Sequence, residues 1–140
     1  MGIRYPYNHS IIPTCFATCS LKPKSTTINL PEKLKVIHNA GFDAVELAMS
    51  DILAYGKVLN GEELDASDYD AIVEIAKNAK SVAEEIGIEI PMLRPLAKFE
   101  GWKLGSQDSE RQDAFARARG WLKVMEALGT DMLQVGDSEY

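Results

Sequence analysis

The 140-residue sequence predicts an α/β fold in which a parallel sheet grows through alternating strands and helices, β-α-β-α-β-α-β. Three observations carry that prediction. One phrase is written three times: AGFDAVEL at 40–47, IGIEIPML at 86–93 and LGTDMLQV at 128–135, each an apolar residue, Gly, any residue, an acid and a short apolar run. An amphipathic helix pattern precedes each copy. The connections are lopsided as well, with two or three residues from helix to strand and long stretches from strand to helix.

Taken in order, IIPTCFATC (11–19) reads as the opening strand, followed by a connection over 20–28. In NLPEKLKVIHNAG, Leu30, Leu34 and Ile37 fall on one helical face, and Asn29 with Glu32 has the spacing of a capping box. Gly41 stands just past the end of that helix, where positive φ is needed and glycine supplies it cheaply. The strand AVELA follows, and then a connection over 50–66. Ser67 opens the second helix, whose stripe is Ile72, Ile75, Ala76, Ala79, Val82, Ala83 and Ile86. Gly87 stops it, and the third strand ends at Arg94. A connection over 96–107 leads to the third helix, starting near Asp108 with Phe115, Ala118, Leu122, Met125 and Leu128 as its apolar positions. Gly129 stops that helix before the fourth strand. Asp43, Glu89 and Asp131 mark the strand entrances.

Composition narrows the function. The length suits one domain over 1–140, and 46% hydrophobic with 26% charged residues is ordinary for a globular chain. A formal charge of −6 argues against nucleic-acid binding, which needs a basic surface. No apolar run approaches the ~20 residues of a membrane helix. MGIRYPYNHS places polar residues and Pro6 where a signal peptide needs an apolar core, so a cytosolic location is expected. Cys15 and Cys19 match neither a redox CxxC nor a zinc pair, and only His9 and His38 are available to complete a metal site. They read as reduced, partly buried thiols. His38 falls on the solvent side of its helix.

In parallel sheets, ligands bind beyond the carboxyl ends of the strands, on the long connections. Two side chains stand out at that end. Glu46 alternates with Val45 and Leu47 and so points away from the helices, where a carboxylate in mid-strand needs a polar partner. Arg94 closes the third strand and cannot shed its charge. Gln134 has the orientation of Glu46 in the fourth strand. The bland reading of Glu46 with Arg94 is an ion pair holding strands in register; the functional one is a mouth that orients a polar, anionic ligand. Lys22, Lys24, Lys57, Lys98 and Lys103 lie on the connections, as do Asp51, Glu62, Glu63, Asp65 and Glu100, so charge alone does not choose. Tyr55, Phe99 and Trp102 are candidates to wall a pocket. A flavodoxin-like sheet would want glycine in the loop after the first strand, and CSLKPKSTT has none.

GFDAVEL, then IEIPMLRP running into KFEGW, then WLKVMEALGTDMLQV resemble the sugar-phosphate isomerase/epimerase superfamily of xylose isomerase-like TIM barrels. Within it, the sequence resembles the fungal 3-dehydroshikimate dehydratases of quinate catabolism. The resemblance spans 12–135 and implies the first half of a (β/α)8 barrel. For intact members it implies proton abstraction next to a ketone, with a divalent metal (Mg, Mn, Co or Zn) stabilising the enolate. Loss of water to protocatechuate marks the dehydratase branch; return of the proton marks the isomerase and epimerase branch. The Glu, Asp and His ligands that the resemblance implies lie on later strands without counterpart here, so no metal ligand and no catalytic residue is assigned in this chain. Glu46, Arg94 and Gln134 are carried over as substrate-binding residues for a small, anionic carbonyl compound. Four strands in place of eight imply either a truncated, inactive half or a half-barrel that associates with a second half through its open strand edges.

Overall fold

The computed structural model describes residues 14–22, 28–95, 97, 99 and 108–135. The strands are β1 (Cys15–Ala17), β2 (Ala44–Ala48), β3 (Glu89–Arg94) and β4 (Met132–Leu133), and the helices are α1 (Leu30–Asn39), α2 (Met49–Asn60), α3 (Tyr69–Ile86) and α4 (Asp108–Leu128). A single 3-10 turn, Thr18–Ser20, follows β1. The sheet order is β1-β2-β3-β4 and every pairing is parallel. This is the predicted α/β unit, laid out as consecutive strands of a barrel.

The repeated phrase has a single structural meaning. Gly41, Gly87 and Gly129 have φ of 96°, 85° and 71°. The amide after each glycine donates to a carbonyl five residues back: Phe42 to Ile37 at 3.3 Å, Ile88 to Ala83 at 3.0 Å and Thr130 to Met125 at 3.1 Å. That 6→1 bond satisfies an orphaned helix carbonyl and turns the chain directly into a strand. The acid then fastens the strand entrance where Asp43 Oδ2 accepts from the Thr14 amide at 3.0 Å and the Thr14 hydroxyl at 3.1 Å. The capping box also forms, with Asn29 Oδ1 accepting from the Glu32 amide and Glu32 Oε2 from the Asn29 amide, both at 3.0 Å.

Alternation along the strands divides the sheet into two faces. Val45, Leu47 and Leu93 are fully buried against Leu30, Leu34 and Ile37 of α1, Ile72, Ile75 and Ala79 of α3, and Trp121, Val124 and Leu128 of α4. Burying such aliphatic side chains contributes about 1.5–3 kcal/mol each, so this layer is the main source of stability. The opposite face carries Glu46 and Met92, both half-buried.

Several expectations are corrected. The stretch 50–66 is not a long loop, because α2 begins immediately after β2 and ends at Gly61, whose φ is 78°. Gly56 within it packs closely on Leu64, so that a Cβ there would require the Leu64 side chain to shift. Tyr55 is buried in α2, and its hydroxyl donates to Asn78 Oδ1 at 2.7 Å, so it belongs to the core. Asp68, not Ser67, caps α3, accepting from the Ala71 amide. In α4 the buried positions are Ala114, Trp121, Val124, Met125 and Leu128, while Phe115 and Leu122 are exposed. Cys15 is exposed as a residue although its thiol is partly desolvated, and Cys19 is partly buried as expected. Residues 11–13 of the expected first strand and most of the 96–107 connection, with Lys98, Glu100, Trp102 and Lys103, lie outside the described residues, as does Lys24.

Candidate functional site

The carboxyl ends of the strands bring together two of the three expected residues. β2 and β3 pair Glu46 with Met92 and Ala48 with Arg94, so Glu46 and Arg94 share the face turned away from the helices, one alternation apart. Glu46 Oε2 accepts from Arg94 Nη1 at 3.2 Å, and the side chains are 31% and 21% exposed. At that exposure the pair is neither a free surface contact nor a fully desolvated one. Arg94 Nη1 also lies 3.7 Å from Cys19 Sγ, whereas Arg94 Nε is buried and has no partner. The guanidinium is therefore held on one side and unsatisfied on the other.

Gln134 sits differently. It lies just beyond β4, exposed, and its backbone amide donates to the Leu93 carbonyl at 3.0 Å. The register Met92↔Met132 puts it at the level of Arg94 on the same face, but its side chain makes no hydrogen bond to Glu46 or Arg94.

The 3-10 turn locks this end of the sheet. Thr18 is fully buried, its hydroxyl accepting from the Ala48 amide at 3.0 Å and donating to the Glu46 carbonyl at 3.4 Å. That bridge fixes Cys19 over Arg94. On its other side, Lys33 of α1 reaches the Thr18 carbonyl at 3.4 Å and forms a 2.7 Å ion pair with Asp51 of α2. Lys33 and Asp51 are only 13% and 12% exposed, and Asp51 Oδ2 is buried without a partner. Lys33, Asp51, Cys19, Ser20, Lys22 and Ser50 line a shallow cleft beside the Glu46–Arg94 pair. Sequence reasoning missed this second pair because its halves lie 18 residues apart, one on a helix and one in what read as a loop.

Other sequence candidates fall elsewhere. Lys57 pairs with Glu63 at the surface, and Phe99 packs edge-on against Phe115, 6.2 Å between ring centres. His38 is exposed. Cys15 precedes this end on the strand, and burial together with the nearby Glu46 charge raises its thiol pKa above the usual value. A separate cavity of about 250 Å³ lies at the amino ends of β3 and β4, lined by Lys80, Glu84, Ile88, Pro91, Gly129 and Thr130 among others. It is the better enclosed of the two, but it faces the short turns, the end that serves stability in such sheets. The carboxyl end holds the charged, under-satisfied groups.

Among the described residues no group of three or more His, Cys, Asp or Glu is placed to hold a metal ion. Glu46 is committed to a guanidinium and Asp51 to an ammonium, so these donor sets do not fit a divalent cation.

Known proteins give a consistent picture. No family model matches the chain. The 3-dehydroshikimate dehydratase of Pseudomonas aeruginosa is 30% identical over 116 residues, 83% of this chain, and that of Pseudomonas putida is 28% identical over the same length. The chain spans 15% of the length of either bacterial protein. Among solved structures, a xylose isomerase-like TIM barrel/4-hydroxyphenylpyruvate dioxygenase fusion protein superposes with a TM-score of 0.63 and 28% identity, over 89% of this chain and 16% of that one. The 3-keto-D-glucoside 4-epimerase of E. coli superposes at 0.51 with 18% identity, over 88% of this chain and 36% of that one, a likeness of fold alone. In sequence and in fold, then, this chain resembles a part of the xylose isomerase-like TIM barrel, with 3-dehydroshikimate dehydratases as its curated relatives.

Proposed function

We propose that the chain is the N-terminal half of a metal-dependent, 3-dehydroshikimate dehydratase-like barrel and supplies one side of its substrate mouth. The observation that carries this reading is Arg94. Its guanidinium stands at the carboxyl end of a parallel sheet, anchored through Nη1 by Glu46, with a buried Nε that has no partner. A planar fork held in that way suits a substrate carboxylate. Glu46 keeps the fork in place, and Gln134, at the same level of the sheet, supplies an amide to a carbonyl or hydroxyl. A divalent metal in an intact barrel would supply charge stabilisation next to the ketone; this chain's described residues do not fit it, and no proton transfer is assigned to them. The reading carries with it a cytosolic setting and quinate catabolism. Identity to the dehydratases favours dehydration; the epimerase likeness is confined to fold and leaves isomerisation as the alternative.

The test is incubation of the purified chain with 3-dehydroshikimate and added Mg, Mn, Co or Zn in deuterated water. The expected result is binding without aromatic product and without deuterium at the carbon next to the ketone. Robust formation of protocatechuate would show that the chain holds a complete site. Deuterium uptake without loss of water would move the reading to the isomerase branch. Absence of binding would remove the substrate mouth.

A further inference from the structure

We propose that the cavity at the amino ends of β3 and β4 binds a small zwitterion with an apolar body, of the aliphatic α-amino acid kind. It lies at the opposite end of the sheet from Arg94, so the inference stands apart from the substrate-mouth reading. The cavity measures about 250 Å³. That is below the roughly 300–1,000 Å³ of sites for drug-sized ligands, so its occupant is small. Ala83, Ile88, Ile90, Pro91 and Leu128 form the apolar part of the wall, and Lys80, Glu84, Glu89 and Asp131 stand around it. Ala83, Ile88 and Leu128 are buried, whereas Glu84 and Asp131 are exposed and Lys80 is half-buried. The floor therefore belongs to the core, and the charges form a rim.

Lys80 is the group that asks for a ligand. It stands four residues before Glu84 on α3, the spacing of a helical ion pair, and one turn earlier Lys77 does pair with Glu74 at 2.6 Å. Lys80 does not: among the described residues its ammonium makes neither a hydrogen bond nor an ion pair. It extends instead to the end of α4, where Nζ lies 3.0 Å from the point a Cβ on Gly129 would occupy. The carbonyl end of a helix favours a cation there, and the bare glycine leaves it room. The neighbouring Thr130 is already committed, because its hydroxyl donates to the Pro91 carbonyl.

The charge pattern of the ligand follows from the rim. A simple carboxylate would satisfy Lys80 but meet Glu84, Glu89 and Asp131 around the same opening. A simple amine would suit those acids and the carbonyl ends of α3 and α4, yet lie beside the Lys80 ammonium. A zwitterion answers both signs at once. Its carboxylate accepts from Lys80, its ammonium turns outward to Glu84, and its aliphatic side chain covers Ile88, Ile90 and Leu128.

The experiment is titration of the labelled whole chain, followed by amide shifts, with leucine and two relatives that each lack one charge. These are 4-methylpentanoate, without the ammonium, and 3-methylbutylamine, without the carboxylate. Leucine is expected to bind about 10-fold more tightly than either, the worth of one hydrogen bond to a charged group, with shifts over 80–91 and 128–131. Lys80→Met keeps the apolar stem and is expected to lower leucine to the affinity of 3-methylbutylamine. Glu84→Gln, at an exposed position, is expected to lower it to that of 4-methylpentanoate, and keeps the test decisive if Lys80→Met does not fold. No binding of leucine, equal binding of leucine and either relative, or folded variants that bind leucine as before would each overturn the proposal. Shifts from leucine centred on Arg94 would overturn it as well, and none of these results touches the substrate mouth, whose probe is 3-dehydroshikimate.

Discussion

At the scale of single residues, the account turns on Glu46. Its carboxylate holds Arg94 and, from the same position, adds to the burial that raises the Cys15 thiol. These two effects are separable. In a Cys19→Ser background, Glu46→Gln removes the negative charge and brings the Cys15 pKa back toward its ordinary value, because only the neutral thiol was favoured by that charge. The pH midpoint for alkylation of Cys15 by iodoacetamide is therefore expected to fall, and an unmoved midpoint would place Glu46 too far away to matter. The same substitution leaves the Arg94 guanidinium with a neutral acceptor and is expected to cost roughly 1 kcal/mol in urea unfolding, as for one partly exposed charge-assisted bond. Glu46 and Arg94 were legible from sequence because a charge inside an alternating apolar strand is conspicuous. Lys33 and Asp51 were not, since a lysine on a helix and an aspartate near a helix start are unremarkable until the fold brings them together.

Elements were readable to the extent that their signals were local. The helix stops, the capping box and the strand entrances each depend on a few consecutive residues, and they form as written. What failed depended on contacts distant in sequence. The helix α2 follows β2 directly and packs Gly56 against Leu64, and in α4 the buried face includes Gly120, which lies under the Tyr69 ring. A Cβ on Gly120 would clash with that ring, so at the present approach of α4 and α3 the Tyr69 side chain would have to shift. Gly120→Ala, normally favourable in a helix, is accordingly expected to destabilise the fold by about 1–3 kcal/mol through overpacking. Gly87→Ala meets no atom within 4 Å but is held at φ 85°, and is expected to cost roughly 1–2 kcal/mol from backbone strain alone. Thermal melts of the two variants separate the cases: pairing Gly120→Ala with Tyr69→Ala recovers part of the first loss, and no second-site truncation recovers the other.

Among the described residues the chain forms one helical layer on one face of a four-stranded parallel sheet, with β1 and β4 as its outer strands. Parallel sheets of this kind are ordinarily covered on both faces, and unpaired edges invite association. With Phe115 and Leu122 exposed on α4 and no further strand beside β1 or β4 among the described residues, sedimentation is expected to show a mass above 15.5 kDa that rises with concentration; a strict monomer throughout would count against association. The fold class was legible from the thrice-written turn, whereas the contacts around the carboxyl ends of the strands join residues distant in sequence, which local patterning does not encode. The central claim is that ligand is received where the strands end, around Arg94. Amide shifts of the labelled chain titrated with 3-dehydroshikimate test it most directly. The account predicts changes confined to residues 18–20, 46–51, 93–94 and 134; changes centred instead on Gly87 and Gly129, at the opposite end of the sheet, would contradict it.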